Sequence, residues 1–279
     1  MTETRLPSSA EPHPSPRVGL VATVIRKLRK SIDQRGAVRT AIRIAIFPLK
    51  LVRTLVRSWM PSRRRYKRAE IEFDRRFHLD TCKDLDVNWI AAIDSENWKF
   101  GYGYAPVPLS GVSETVPQLA IRYQDFTFID FGSGKGRSLF LAAEFPFAAI
   151  SGVEFSQRLH TIACTNIQSY QNPAQKCVNL RAVYGDAAEF PIPDGPTVCF
   201  FNNPFDVPVL RRVIANIVDS YLQSPRQLFV VYYLPLAAEA IADEFQNTVF
   251  RERIRAKNYF IFETPECAAD SAPISVALK

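Results

Sequence analysis

The chain has 279 residues, 47% hydrophobic and 23% charged, enough apolar side chain for at least one full core, which excludes a disordered protein. Its net charge of +7 is unevenly placed: residues 1–68 carry 17 Lys+Arg against 3 Asp+Glu, net +14, and residues 69–279 carry 18 against 25, net −7. A basic arm before an acidic body argues against a nucleic-acid binder whose basic face is built into the fold, and moves any contact with phosphates or anionic lipid to the arm. Five cysteines, odd in number, widely spaced and without a CxxC pair, predict neither a disulfide framework nor a zinc site, in a reducing compartment. His13, His78 and His160 form no HxH or HxxxH pair, so no metal is expected.

Residues 1–17 are rich in Pro and Ser, lack the pattern of a secretory signal, and read as a disordered tail. Residues 18–68 form the basic arm. Arg39, Arg43, Lys50, Arg53 and Arg57 fall close to one helical face, with Ile42, Ile46, Leu49, Val52, Leu55 and Val56 over much of the rest and a kink expected at Pro48. Three readings of the arm stay open: an element lying on an anionic membrane surface, a solvated face on a helix that packs on the body or a partner, and a mitochondrial presequence. No apolar run reaches the roughly 20 residues of a membrane span. The expected location is the cytoplasm, peripheral to the inner membrane surface under the first reading.

Residues 69–120 read as a small helical subdomain rich in aromatics, among them Phe73, Phe77, Trp89, Trp98, Tyr102 and Tyr104, with a Pro-bounded loop at Tyr104–Pro108. Over 121–265 strands and helices alternate. The apolar runs Phe126–Asp130, Ala148–Glu154, Val178–Val183, Val198–Asn202 and Leu228–Leu234 predict buried strands, with helices near 136–146, 156–171, 206–223 and 236–246. Phe250–Ala256 and Tyr259–Glu263 predict a closing hairpin, and residues 266–279 a tail. The fold class expected is α/β: a doubly wound, Rossmann-like, seven-stranded, mostly parallel sheet with a C-terminal antiparallel hairpin, preceded by the basic helical arm.

The strongest local signal is Asp130-Phe-Gly-Ser-Gly-Lys-Gly136, where the first strand runs into a glycine turn that opens a helix. Gly132, Gly134 and Gly136 let the backbone pass close to a ligand, and the first strand-to-helix turn of a doubly wound sheet lies at the switch point, where ligands bind. A dinucleotide fingerprint, GxGxxG, would place its third Gly or an Ala at 137; Arg137 stands there instead, which disfavours NAD. Lys135 and Arg137 are expected as solvated residues of the helix start. Lys135 has a second reading, over a ligand carboxylate. Asp130 reads equally as a helix-capping acid or a ligand contact.

These residues resemble the class I S-adenosylmethionine-dependent methyltransferases, whose first motif is an acid followed by GxGxG. The resemblance extends over about 121–264, through Gly152-Val-Glu-Phe-Ser156, Tyr184-Gly-Asp-Ala187 and Phe200-Phe-Asn-Asn-Pro-Phe205. It implies S-adenosylmethionine as cofactor, with Gly132, Gly134 and Gly136 beside the methionine part, Glu154 at the ribose and Asp186 at the adenine, and with Asp130, Ser133, Phe155, Ala187 and Asn202 as further cofactor-binding residues. Within the superfamily it is similar to a bacterial group with a basic N-terminal arm. Chemistry supports Glu154 independently, because a carboxylate at a strand end beside the turn can accept both hydroxyls of a ribose diol. Gly-Asp at 185–186 is also ordinary turn chemistry.

Asn202-Asn-Pro-Phe205 resembles the (Asn/Asp/Ser)-Pro-Pro-(Tyr/Phe) motif of amino-group methyltransferases, with Asn203 in place of the first proline, and the double Asn is similar to the non-SET lysine methyltransferases. That similarity implies Asn202, Asn203 and Phe205 as the catalytic set and a nitrogen acceptor, a protein lysine or another amine. Tyr102, Tyr104 and Phe205 are candidates to line a channel for it. In-line methyl transfer disperses charge and rests largely on alignment and desolvation, which suits a site without histidine. Two other function classes stay open: a nucleotide- or NAD-binding oxidoreductase, and a non-catalytic membrane-associated adaptor built on a cofactor-type domain.

Overall fold

The computed structural model describes residues 61–82 and 104–265, with side chains from Tyr66 onward. The expectations for the N-terminal tail, most of the arm, the C-terminal tail, and Trp89, Trp98 and Tyr102 lie outside these residues. The chain divides into two units at Lys67/Arg68, and the sheet and its covering helices belong to the second.

Helix α1 (Pro61–Phe77) has Pro at its first position, where the missing N–H costs nothing, and among its described side chains the buried apolar ones are Phe73 and Phe77, four residues apart on one face. Helix α2 (Gly111–Thr115) and two 3-10 turns lead into β1 (Thr127–Phe131). The alternation then runs α3 (Arg137–Ala142), β2 (Ala149–Glu154), α4 (Gln157–Ser169), β3 (Leu180–Tyr184), β4 (Thr197–Phe201), α5 (Val207–Gln223), β5 (Leu228–Tyr233), α6 (Ala238–Phe245), β6 (Arg251–Arg255) and β7 (Tyr259–Glu263).

The seven strands form one sheet in the order β3-β2-β1-β4-β5-β7-β6. The first five are parallel, β7 is antiparallel to β5, and β6 returns antiparallel to β7. This is the architecture expected, and the expected strands agree with the observed ones to within two residues at either end. The side-chain period of two divides β1, β4 and β5 between two cores. Phe128, Val198, Phe200, Phe229 and Val231 point into one, closed by Phe73, Phe77, Val112, Val116 and α3. Ile129, Phe131, Cys199, Phe201, Val230 and Tyr232 point into the other, closed by Val209, Leu210, Val213 and Ile217 of α5 and by α6. Each such fully buried side chain contributes about 2 kcal/mol.

Because both faces of the central strands are covered, their carboxyl ends are the places where polar groups meet apolar surroundings, and β1 lies between β2 and β4 at the point where the chain reverses direction across the sheet. At the far edge, Arg251 and Arg253 of β6 pair with Glu263 of β7, and Arg255 pairs with Glu239 and Glu252. A charged, bulged edge of this kind discourages pairing with a further strand.

Candidate active site

The glycine turn is built as its residues dictate. Gly132, Gly134 and Gly136 take φ of +80°, +57° and +86°, a region that side chains rarely adopt. The N–H groups of Gly132 and Ser133 donate to the carbonyl of Val153 at 2.9 and 3.0 Å, which pins the turn to the end of β2. From that end rises Glu154, 4% exposed, whose two oxygens accept from the N–H groups of Gly134 and Ser156, each at 2.8 Å. Burial pushes its carboxyl up to about 7, against the pull of the N–H groups of Ser156, Gly134 and Phe155.

Asp130, 3% exposed, ends β1 beneath the turn. One oxygen accepts from the hydroxyl of Ser138 in α3, a side-chain tie between strand and helix and not the capping bond the sequence suggested, since no side chain caps the start of α3, and the other has no partner among the described residues. Burial, with the Glu154 carboxylate adding repulsion, raises Asp130 to about 7. The hydroxyl of Ser133 is likewise buried and without a partner among the described residues.

Asp186 accepts from the N–H of Ala188 at 2.9 Å, the turn chemistry that Gly-Asp suggests, and Ala187 is buried beside Phe190. Asn202 and Asn203 follow β4 and reach opposite ways. Asn202 Nδ2 donates to the carbonyl of Ala105 at 3.1 Å, and Asn203 Oδ1 accepts from the N–H of Leu236 at 3.2 Å. Asn203, at φ +46°, and Leu234, at φ +50°, both hold the left-handed conformation on these neighbouring loops. Pro204 packs directly over Gly132. Phe205 is buried, edge-on to Phe201 at 6.1 Å, and belongs to the core below the site. The glycine turn, Asp130, Ser133, Glu154 and the Asn202–Pro204 turn thus meet at one end of the sheet.

Lys135 and Arg137 correct the sequence reading. Neither is solvated: each is 1% exposed. Arg137 lies under the segment after α1, its Nη1 donating to Glu70 at 2.5 Å and its Nε to the hydroxyl of Thr81 at 2.8 Å. Thr81 is fixed in turn by Asp74, which accepts from its N–H and its hydroxyl. Lys135 pairs with Asp80 at 3.2 Å, and Asn166 of α4 binds both the Lys135 carbonyl, at 2.9 Å, and the backbone of Asp80. A buried cation requires a partner, and here the partners are supplied from 55 and 67 residues upstream. Glu70, Asp74, Asp80, Thr81 and Asn166 were not singled out from the sequence. The one available signal was Asn166, a polar residue on the inner face of a helix.

Above the turn lies Tyr104. Its hydroxyl donates to the carbonyl of Thr81 at 2.6 Å, its ring sits 5.3 Å from the Lys135 ammonium, and a Cβ built on Gly134 would lie 2.5 and 2.7 Å from two ring carbons.

Five parallel strands in the order 3-2-1-4-5, a reversed seventh strand inserted beside the fifth, and a glycine turn at the switch point are together on one sheet. The fold is a Rossmann-like, doubly wound α/β sheet closed by an antiparallel hairpin. No protein-family model matches the chain, and no curated protein does. Among solved structures the chain is similar to the ribosomal protein L11 methylase of Lactobacillus delbrueckii subsp. bulgaricus, at 14% identity over 60% of this chain and 82% of that one, TM-score 0.41. It is similar to the glycopeptide N-methyltransferase MtfA complexed with S-adenosyl-L-methionine, at 13% identity over 56% and 87%, TM-score 0.42. It is also similar to an RNA methyltransferase from Salinibacter ruber in complex with S-adenosyl-L-homocysteine, at 15% identity over 57% and 92%, TM-score 0.39. Among the described residues no group of three His, Cys, Asp or Glu side chains is placed to hold a metal, and no helix is long and apolar enough to cross a membrane.

Proposed function

We propose that the protein is an S-adenosylmethionine-dependent methyltransferase that modifies a nitrogen, a protein lysine or another amine. The observation that carries this reading is the buried Glu154 carboxylate at the end of β2, hydrogen-bonded to the N–H of Gly134 in the glycine turn. A carboxylate held this far from water, with two N–H donors and lone pairs to spare, is suited to a vicinal diol, which brings two further O–H donors without adding charge. Asp130 and Ser133, each with a buried oxygen lacking a partner among the described residues, supply further polar contacts for a ligand at the turn. Asp186 and Ala187 follow β3 on the adenine side. When bound, the cofactor supplies an electrophilic methyl group on a sulfonium.

The chain's own residues then have to orient a neutral amine and exclude water. Asn202 is the residue proposed to hold it. Its Nδ2 is engaged with Ala105, and its side-chain oxygen, which accepts no hydrogen bond among the described residues, is available to an amine N–H. Asn203 fixes the loop at Leu236, and Phe205 forms the floor beneath. An acidic body suits a cationic acceptor approaching from solution, and the basic arm is proposed to bring the enzyme to an anionic surface.

Calorimetric titration with S-adenosylmethionine and, separately, NADH tests the cofactor. A micromolar signal for the methyl donor alone, lost in Glu154→Ala, is expected; heat from NADH alone sinks the reading. Transfer of labelled methyl from the donor into lysate protein, recovered as methyl-lysine after hydrolysis, tests the acceptor.

A further inference from the structure

The glycines of the turn leave room for a ligand to approach the backbone, and in this structure that room is already taken. Pro204 fills the space over Gly132, and the ring of Tyr104 fills the space over Gly134. Below them Glu154 is almost fully buried, with each of its oxygens turned to a backbone N–H. An amino-acid chain cannot lie along the turn at Gly134 while the ring stays where it is.

We propose that Tyr104 is a built-in plug of the donor site, occupying the amino-acid end of the cleft and swinging out to admit the donor; this rests on the methyltransferase reading above. Two contacts latch the ring. The phenol donates to the Thr81 carbonyl, and the ring faces the Lys135 ammonium, itself held by the Asp80 carboxylate. The Asp80 to Lys135 pair mimics what a donor would bring, a carboxylate to the same ammonium, so a ligand with a free α-carboxylate competes for Lys135 as it displaces Tyr104. The plugged form lowers apparent affinity by the fraction of molecules that are open. It also keeps a desolvated cleft dry before the donor arrives.

The latch contacts set the size of the effect. One net hydrogen bond corresponds to about a fivefold change in an equilibrium, and a half-buried cation–π contact to about the same. Tyr104→Phe, which removes the first, should bind S-adenosylhomocysteine about fivefold more tightly than the natural protein, and Tyr104→Ala, which removes both, about 20-fold. Asp80→Asn, on a partly exposed residue, should shift affinity in the same direction. Adenosine, which has the ribose diol but no amino-acid part, is the control.

The experiment is calorimetric titration of the full chain and these three variants with S-adenosylhomocysteine and with adenosine, with thermal unfolding of each recorded alongside. A gain for S-adenosylhomocysteine that adenosine does not share is the result expected. Should Tyr104→Ala fail to fold, Tyr104→Phe and Asp80→Asn decide. Variants that bind S-adenosylhomocysteine no more tightly, or more weakly, while adenosine still binds, overturn the plug and make Tyr104 a wall of the site. If neither ligand binds any of the four proteins, the donor site itself falls, and the plug with it.

Discussion

Replacing Asp130 by asparagine should make the protein more stable at pH 8 and weaken the fall in its stability as pH rises. Asp130 is buried under the glycine turn with one oxygen bonded to Ser138 and the other without a partner among the described residues. Its carboxyl is held up to about 7, against an ordinary 3.8. In the unfolded chain the proton leaves near 3.8, and in the fold it stays until about 7. Between these values the folded state binds more protons, so stability, fully present below the lower value, is lost as pH rises through the upper one. The full difference corresponds to about 4 kcal/mol, a large part of a typical folding free energy. Glu154, raised from 4.5 to about 7 by the same burial, contributes in the same window and with the same sign. Asparagine keeps the shape and an acceptor, adds an amide that can bond the Ser138 hydroxyl, and cannot ionise. Urea unfolding of both proteins at intervals from pH 4 to pH 8.5 isolates the residue, since every other group titrates in both. The variant's loss over that range should be about half that of the natural protein, with Glu154 supplying the remainder. Identical curves, or a variant less stable at pH 8, would mean that Asp130 is ionised and well solvated in the fold, and the desolvation reasoning would be refuted.

Arg137→Met should destabilise by about 3 kcal/mol or more, because it strands the half-buried Glu70 carboxylate, and Arg137→Met with Glu70→Gln should recover part of the loss; a thermal-unfolding double-mutant cycle measures the coupling. In Gly134→Ala the new Cβ meets the Tyr104 ring at 2.5 Å with φ at +57°, so a loss of about 2 kcal/mol is expected in urea unfolding, and an unchanged midpoint would show that the ring gives way freely. In the native protein iodoacetamide at pH 8 should modify Cys164 well before Cys199, whose thiol is fully buried in the sheet and pushed up to about 12; peptide mapping by mass spectrometry reads the order.

The sheet was legible because its central strands are buried on both faces. Runs such as Thr197-Val-Cys-Phe-Phe201 and Leu228-Phe-Val-Val-Tyr-Tyr233 are apolar without interruption, and few other structures use five or six such residues between turn signals. The glycine turn was legible because strand, turn and helix start are continuous in sequence, and the place of Glu154 because it ends the apolar run of β2. The hidden part was everything that reaches the turn from upstream. Lys135 and Arg137 look like ordinary cations at a helix start, since nothing local reveals Asp80 and Glu70 as their partners. The packing of Tyr104 on Gly134 was hidden for the same reason, a contact between residues 30 apart. Helix α1 runs unbroken across the boundary expected at 68/69, and that continuity was hidden because only Phe73, Asp74 and Phe77 of its described side chains are buried, too sparse a stripe to show one helix spanning the change of charge.

The boundary between basic arm and acidic body falls inside α1, and this bears on how the protein can be shortened. A chain begun at residue 69 to remove the arm would retain Glu70 and Asp74, yet place Glu70 in the first, fraying turn of a new helix end. Glu70 is the ion-pair partner of a guanidinium in the first turn of α3, and Asp74 fixes the Thr81 that binds the same guanidinium. Cutting at the change of charge would therefore loosen the glycine turn from a distance, and a loss of ligand binding in such a fragment would be misread as a direct role of the arm. A cut before Pro61 keeps the helix whole and separates the two effects.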